Sequence, residues 1–207
     1  PPDVMAVLMD VAIDELMLSV RTESPYKTVE DFVAAARARP GQLTVGGTGT
    51  HNEDHIFAHL FEESAKIKLK YVPFNSGGEV TAALMGGHID AGIMNPNEIV
   101  AQVEAGKAKN LAVAAKKRMT GAQDVPTFAE AGFPEFNFTA WYAMFAPAKT
   151  PPDVMAKLTG ALQAALKNPE VIEKLRGVGV TTASGDAGEL AKLVPVEYER
   201  IGKLIKT

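Results

Sequence analysis

Three segments of the sequence are rich in short polar side chains, two of them together with glycine, a composition suited to holding a small anion. They are 46–55 (Gly-Gly-Thr-Gly-Thr-His-Asn-Glu-Asp-His), 71–78 (Tyr-Val-Pro-Phe-Asn-Ser-Gly-Gly) and 94–98 (Met-Asn-Pro-Asn-Glu). Glycine lets a ligand approach the backbone, and the unpaired N–H groups at a helix start attract negative charge. The candidate binding residues are Thr48, Gly49, Thr50, His51, Asn52, Asn75, Ser76, Gly77, Gly78, Asn95 and Asn97.

The glycine-rich segment 46–55 matches neither of the common nucleotide-binding motifs. No Lys-Ser or Lys-Thr pair follows the last glycine, as a P-loop requires, and the G-x-G-x-x-G spacing is absent. The alternative to an anion site is a tight turn that leads into a capped helix and binds nothing. No cofactor is expected.

Histidines at positions 51, 55 and 59 raise the alternative of a metal site. Their spacing of four places the three rings on one helical face, with Glu53, Asp54 and Glu62 nearby. However, the H-E-x-x-H motif is absent, and two helical turns separate the first and third rings by about 12 Å, too far to share one ion. A hard cation such as Na⁺ or Ca²⁺, held by Glu53, Asp54 or Glu98 with backbone oxygens, is a further alternative. We predict no metal site.

Composition narrows the remaining functions. With 207 residues, 46% hydrophobic residues and 22% charged residues, the chain can bury a sizeable core. A net charge of −4 argues against nucleic acid as a partner, and the absence of Cys excludes thiolate chemistry. No G-x-S-x-G motif is present, and Ser76 has no obvious local base. These residues therefore give little support to nucleophilic catalysis.

The three polar segments each lie between a predicted strand and a predicted helix. Strands are predicted at 16–20, 42–46, 69–73, 89–94 and 110–115, and helices from Thr28 to about residue 40 and at 54–66, 79–85 and 97–105. Such alternation is typical of an α/β fold with a parallel sheet. Because the carboxyl ends of parallel strands lie along one edge, the three segments are expected to converge.

The second half of the sequence is mostly helical. A short helix is predicted at 124–132, one long strand or two at 136–146, and helices at 151–167 and 168–177. A last helix is predicted to kink near Pro195. Few strands remain to form a sheet in this half.

The order of these motifs resembles that of the TctC/Bug family, the solute-binding proteins of tripartite tricarboxylate transporters. The matching runs are Leu-Thr-Val-Gly-Gly-Thr-Gly-Thr at 43–50, Glu-Asp-His at 53–55, Tyr-Val-Pro-Phe at 71–74, Gly-Gly-Glu-Val-Thr-Ala-Ala-Leu at 77–84, Gly-Gly-His-Ile-Asp at 86–90 and Asn-Pro-Asn-Glu at 95–98. The likeness continues to Phe-Ala-Pro at 145–147 and covers nearly the whole chain.

The resemblance implies a type II periplasmic binding protein, with two α/β lobes, a hinge and a cleft that closes on a carboxylate. It implies a periplasmic, non-catalytic protein that delivers a citrate-like ligand or a dicarboxylate to a membrane permease. It also implies that Thr48, Gly49, Thr50, Asn52, Ser76 and Gly77 border the cleft. The ligand-binding lobe is expected at 17–116, and the remainder of the first lobe at 1–16 and 117–207.

The sequence departs from the family at its beginning, where we find no counterpart of the first strand and first glycine-rich loop. The first lobe is therefore expected to be incomplete, which predicts either exposed apolar surface with self-association or weak binding through one lobe. An effector-sensing domain of a cytoplasmic transcription regulator remains an alternative because it uses a related fold. A metal-dependent enzyme built on His51, Asp54 and His55 is less favoured.

Overall fold

The computed structural model describes residues 4–136, 138, 140–177, 180–183 and 187–204. In chain order its elements are β1 (Met5–Asp14), β2 (Met17–Arg21), α1 (Val29–Ala38), β3 (Thr44–Thr48), α2 (Glu53–Ala65), β4 (Lys70–Phe74), α3 (Gly77–Met85), β5 (Ala91–Met94), α4 (Pro96–Glu104), β6 (Ala108–Val113), β7 (Ala140–Pro147), α5 (Pro152–Leu166), α6 (Pro169–Gly177), β8 (Thr181–Thr182) and α7 (Ala187–Leu204). They form two compact units: Glu15–Thr139, and Pro1–Asp14 with Ala140–Thr207.

The Glu15–Thr139 unit contains a five-stranded sheet in the order β4-β3-β5-β2-β6. Strands β4, β3 and β5 are parallel, with Val45 opposite Tyr71 on one side and Ala91 on the other. The expectation of a parallel sheet needs correction, because β2 pairs antiparallel with both β5 and β6. The sheet is therefore mixed, and the polar segments follow its three parallel strands.

Close packing against β3 fixes the position of α3 on this sheet. A side chain at Gly46 would meet Ile89, Phe74 and Val80, the nearest atom being only 2.6 Å away. Glycine therefore lets helix and sheet approach. Val80 and Ile89 belong to a buried apolar cluster that also contains Leu84.

The helix starts follow from the sequence as predicted. The Thr28 hydroxyl accepts a hydrogen bond from the Asp31 amide at 3.1 Å, and the Asp31 carboxylate accepts one from the Thr28 amide at 3.0 Å. This capping box satisfies donors that the first turn of α1 would otherwise leave unpaired.

The division into lobes expected at residue 116 stays a prediction. The described part of residues 117–139 packs with the Glu15–Thr139 unit. The reason is an aromatic cluster. The Phe57 ring lies 4.9 Å from the Phe136 ring and 5.5 Å from the Phe128 ring, centroid to centroid. Phe61 lies 5.2 Å from Phe128 in the same cluster. Burial of these rings holds the segment on α2.

The prediction of a short helix at 124–132 is wrong, because this segment forms turns. Thr127 bridges to Val113 at the end of β6, which holds the chain extended where the helix was expected to begin. The Glu130 carboxylate then accepts a hydrogen bond from the Thr127 amide at 2.8 Å. Such local side-chain bonds compete with helical pairing.

The other unit contains a three-stranded sheet in the order β7-β1-β8, with α5, α6 and α7. The strand predicted at 136–146 is the single strand β7, and α7 continues through Pro195. Met5, Tyr142 and Met144 of this sheet are exposed. Self-association through such a surface stays a prediction. Among the described residues, no helix has both the length and the apolar character that crossing a membrane demands.

Candidate functional site

The first polar loop connects β3 to α2, and hydrogen bonds to the Asp54 side chain hold it in place. The Asp54 carboxylate atom Oδ2 accepts hydrogen bonds from the Thr48 amide at 2.6 Å and from the Thr48 hydroxyl at 2.8 Å. Gly49 and His51 have positive φ angles of 59° and 61°. Both residues thus adopt the left-handed backbone conformation just before α2 begins, and glycine adopts this conformation easily.

Several candidate donors in this loop are used inside it. Asn52 caps α2 by accepting from the His55 amide at 3.4 Å, and its Nδ2 donates to the Thr48 hydroxyl at 3.1 Å. The Gly49 amide donates to the Phe74 carbonyl at 2.8 Å, and the His51 amide to His55 Nδ1 at 3.2 Å. These groups set the shape of the loop and have little capacity left for a ligand.

The second polar loop connects β4 to α3, and Ser76 caps the helix. The Ser76 hydroxyl accepts from the Glu79 amide at 3.3 Å, while the Glu79 carboxylate accepts from the Asn75 amide at 3.0 Å and from Asn75 Nδ2 at 3.2 Å. Asn75 therefore points its amide donors at Glu79 and not at a free site. Within the described part of the chain, the amides of Gly77 and Gly78 have no hydrogen-bond acceptor, as expected for a first helical turn.

The third polar loop connects β5 to α4 through a capping box. The Glu98 carboxylate accepts from the Asn95 amide at 3.0 Å, and Asn95 Nδ2 donates to the Glu15 carbonyl at 3.3 Å. Asn97 is exposed. A Cβ placed on Gly77 would overlap the Glu98 carboxylate, so a larger residue there would require the Glu98 side chain to move.

The three loops meet at one edge of the sheet, as their positions after parallel strands predict. Besides the Gly49–Phe74 hydrogen bond, the single proton of the Tyr71 hydroxyl is shared between the Thr48 carbonyl at 3.2 Å and the Gly49 carbonyl at 3.1 Å. The second and third loops meet where Glu98 lies against Gly77. Thr50 and Ser76 are exposed at this edge, and the Thr50 amide has no acceptor among the described residues.

The edge also carries acidic side chains, those of Glu53, Asp54 and Glu98. Asp54 is only 3% exposed, and this burial raises its pKa to about 6, with the charges of Glu53 and Glu98 adding to the rise. Burial likewise raises the pKa of the Tyr71 hydroxyl above its usual value. Asp54, Tyr71 and Glu98 are therefore parts of the site that were not among the candidate binding residues. The sequence had pointed to Asp54 through the Glu-Asp-His run and as a ligand in the alternatives of a cation site and a metal-dependent enzyme.

His55 and His59 on α2 contact neighbouring protein side chains. His55 stacks on Tyr71 with centroids 4.3 Å apart and planes 13° apart, and burial lowers its pKa. His59 lies 3.6 Å from the Glu63 carboxylate. Among the residues that the structure describes, no group of three or more His, Cys, Asp or Glu side chains is arranged to hold a metal ion.

Known proteins share this architecture. The profile described as "Tripartite tricarboxylate transporter family receptor", TctC, matches residues 3–207. A UPF0065 protein of Agrobacterium vitis is 32% identical over 188 residues, which are 89% of this chain and 54% of that protein. The chain thus spans about half the length of this relative.

Two solved structures of similar fold were determined with a carboxylate ligand. Rpa4515 of R. palustris with adipate is 27% identical, has a TM-score of 0.82, and is matched over 100% of this chain and 69% of that one. MatC of Rhodopseudomonas palustris with bound malate is 27% identical with a TM-score of 0.80, over 97% and 69%. These matches, with that to the periplasmic binding protein BugD, confirm the expected α/β fold class. The chain belongs to the TctC family of tripartite tricarboxylate transporter receptors.

Proposed function

We propose that this chain is the carboxylate-capturing part of an extracytoplasmic solute-binding protein that serves a tripartite tricarboxylate transporter. The observation that carries the proposal is the convergence of the α2 and α3 starts at one sheet edge, where the amides of Thr50, Gly77 and Gly78 have no acceptor among the described residues. Helix starts and unpaired amides favour an anion through their partial positive charge.

The ligand is a small di- or tricarboxylate. Family membership supports this class, as do the adipate and malate bound by the two R. palustris proteins. In our proposal one carboxylate group accepts from the Gly77 and Gly78 amides and from the Ser76 hydroxyl. A second group accepts from the amide and hydroxyl of Thr50. Backbone donors recognise the charge and geometry of a carboxylate group. The carbon atoms of the ligand that link its two carboxylate groups are therefore recognised by other contacts.

The partner is a membrane permease, and the location is the periplasm. Both follow from the family and both belong to the proposal. The same membership favours a transport receptor over the effector-sensing domain of a transcription regulator, and over an enzyme. Binding does not require any of the three loops to give a proton to the ligand or to take one from it.

Calorimetric titration tests the proposal. We expect adipate, malate or citrate to bind with one-to-one stoichiometry and to raise the melting temperature, because a ligand that binds only the native state stabilises it by about 2.7 kcal/mol at 100 times its Kd. Adipamide, which replaces both carboxylates with neutral amides, is the matched control and is expected not to bind. Equal affinity for adipate and adipamide, or no binding of any carboxylate, would contradict the proposal.

A further inference from the structure

A buried carboxyl group next to a proposed carboxylate site needs a physical explanation. Asp54 is 3% exposed, and its Oδ2 already accepts two hydrogen bonds from Thr48. Among the described residues, none donates to Oδ1, and no Lys or Arg side chain forms an ion pair with Asp54. The carboxyl group is therefore buried without a cation, an arrangement that disfavours its charged form.

The residues around Asp54 disfavour its charged form further. Glu53 on the same helix and Glu98 on α4 both act on Asp54 as negative charges, and Tyr71 on β4 lies close enough for its ionisation to be opposed by Asp54. His51 and His55 are the titratable groups on the loop and helix that face the same region. A carboxylate bound at Thr50 and Gly77 would bring further negative charge to this edge, where partial burial weakens solvent screening.

We propose that Asp54 is a positioning residue that holds the 48–52 loop through Thr48, and that it takes up one proton from solvent when a carboxylate ligand binds. This inference rests on the proposed function of the same edge. The proton adds to Oδ1, where a new O–H bond forms, while Oδ2 keeps both hydrogen bonds from Thr48. The loop thus retains its shape, and one of the negative charges that oppose the ligand disappears.

The geometry separates the two roles of Asp54. An amide in place of the carboxyl group keeps one oxygen that can accept both Thr48 hydrogen bonds, so Asp54→Asn holds the loop but carries no charge. Asp54→Ala removes the charge and the two hydrogen bonds together. The two variants are therefore expected to differ in ligand affinity, and the difference between them measures what the held loop contributes.

Titration of the wild-type protein with adipate in two buffers of different ionisation enthalpy measures the uptake directly. At pH 7 we expect more than about half a proton to be taken up for each ligand bound. Between pH 6.5 and 8.5 the wild-type Kd is expected to rise about tenfold or more, although adipate stays ionised throughout. Asp54→Asn is expected to bind adipate more tightly than wild type at pH 8.5, with no proton uptake and little dependence on pH. Asp54→Ala is expected to bind about tenfold more weakly than Asp54→Asn at every pH.

Histidine protonation is the competing explanation, and the variants distinguish it. Asp54→Asn retains both His51 and His55, so proton uptake by a histidine would persist in it. His51→Asn, judged on proton uptake alone, is expected to behave as wild type, and Asn tolerates the positive φ of 61° at this position. Adipate binding without proton uptake, or uptake that survives in Asp54→Asn, would overturn the inference and leave the proposed function standing. Absence of adipate, malate and citrate binding in wild type would overturn both.

Discussion

Replacing Ser76 with Asp is expected to abolish carboxylate binding and leave the fold intact. Asp is as good a helix cap as Ser, so the hydrogen bond from the Glu79 amide, now 3.3 Å from the Ser76 hydroxyl, can be kept. The new carboxylate would lie beside the amides of Gly77 and Gly78 and repel the ligand. Like charges at a binding interface cost several kcal/mol, so we expect Kd for adipate to rise more than about 100-fold.

Ser76→Asn is the matched control because it has nearly the shape of Asp, caps a helix equally well and has no charge. We expect its Kd to lie within about tenfold of wild type, and both variants to melt within a few degrees of wild type. If Ser76→Asp bound adipate as tightly as Ser76→Asn, the start of α3 would not contact the carboxylate.

The largest loss of stability is expected for Phe57→Ala. Phe57 is fully buried and packs against Phe61, Phe128 and Phe136. Removing a buried aromatic ring leaves a cavity and typically costs about 3–5 kcal/mol, to which the lost ring–ring contacts contribute. Urea denaturation, followed by circular dichroism, measures this change in the free energy of unfolding.

Phe57→Leu is the control for size, since it keeps most of the apolar volume, and we expect it to cost about half as much. A second comparison tests the packing of residues 117–139. Phe128→Ala is expected to resemble Phe57→Ala, because each ring contacts the other at 5.5 Å. A cost below about 1 kcal/mol for Phe128→Ala would mean that the segment does not complete the core of the Glu15–Thr139 unit.

The sequence was most informative where local rules and long-range packing agree. Every strand and helix predicted between residues 42 and 115 lies within two residues of an element in the structure. Capping residues marked the helix starts, as Thr28, Asn52 and Ser76 show. Alternation of strands and helices then predicted the convergence of the three loops.

The sequence was least informative for strand pairing outside this region. We assigned no element before residue 16, although β1 spans Met5–Asp14. Irregularities between Val7 and Met9 and between Asp10 and Ala12 break the alternation of apolar and polar residues that identifies a strand. The reversed direction of β2 likewise depends on partners that are distant in the chain, and no local pattern records it.

The candidate binding residues stay a prediction, although the structure shows which protein groups several of their side chains already contact. Asn52, Asn75 and Asn95 lie at the expected loop positions, but their side chains bond within the protein. Short amide side chains before a helix compete for nearby backbone and carboxylate groups, and this competition cannot be seen in residue type alone. Gly49 and Thr48 likewise donate within the protein, whereas the amides of Thr50, Gly77 and Gly78 have no acceptor among the described residues.

The central claim is that amides at the starts of α2 and α3 bind one carboxylate ligand together. Amide chemical shifts recorded by ¹H–¹⁵N NMR during a titration with adipate test it most directly. We expect the largest shifts at Thr50, Gly77 and Gly78, changing together with one Kd, and none of comparable size with adipamide. Saturable binding of adipate that leaves these three amides unshifted would contradict the claim.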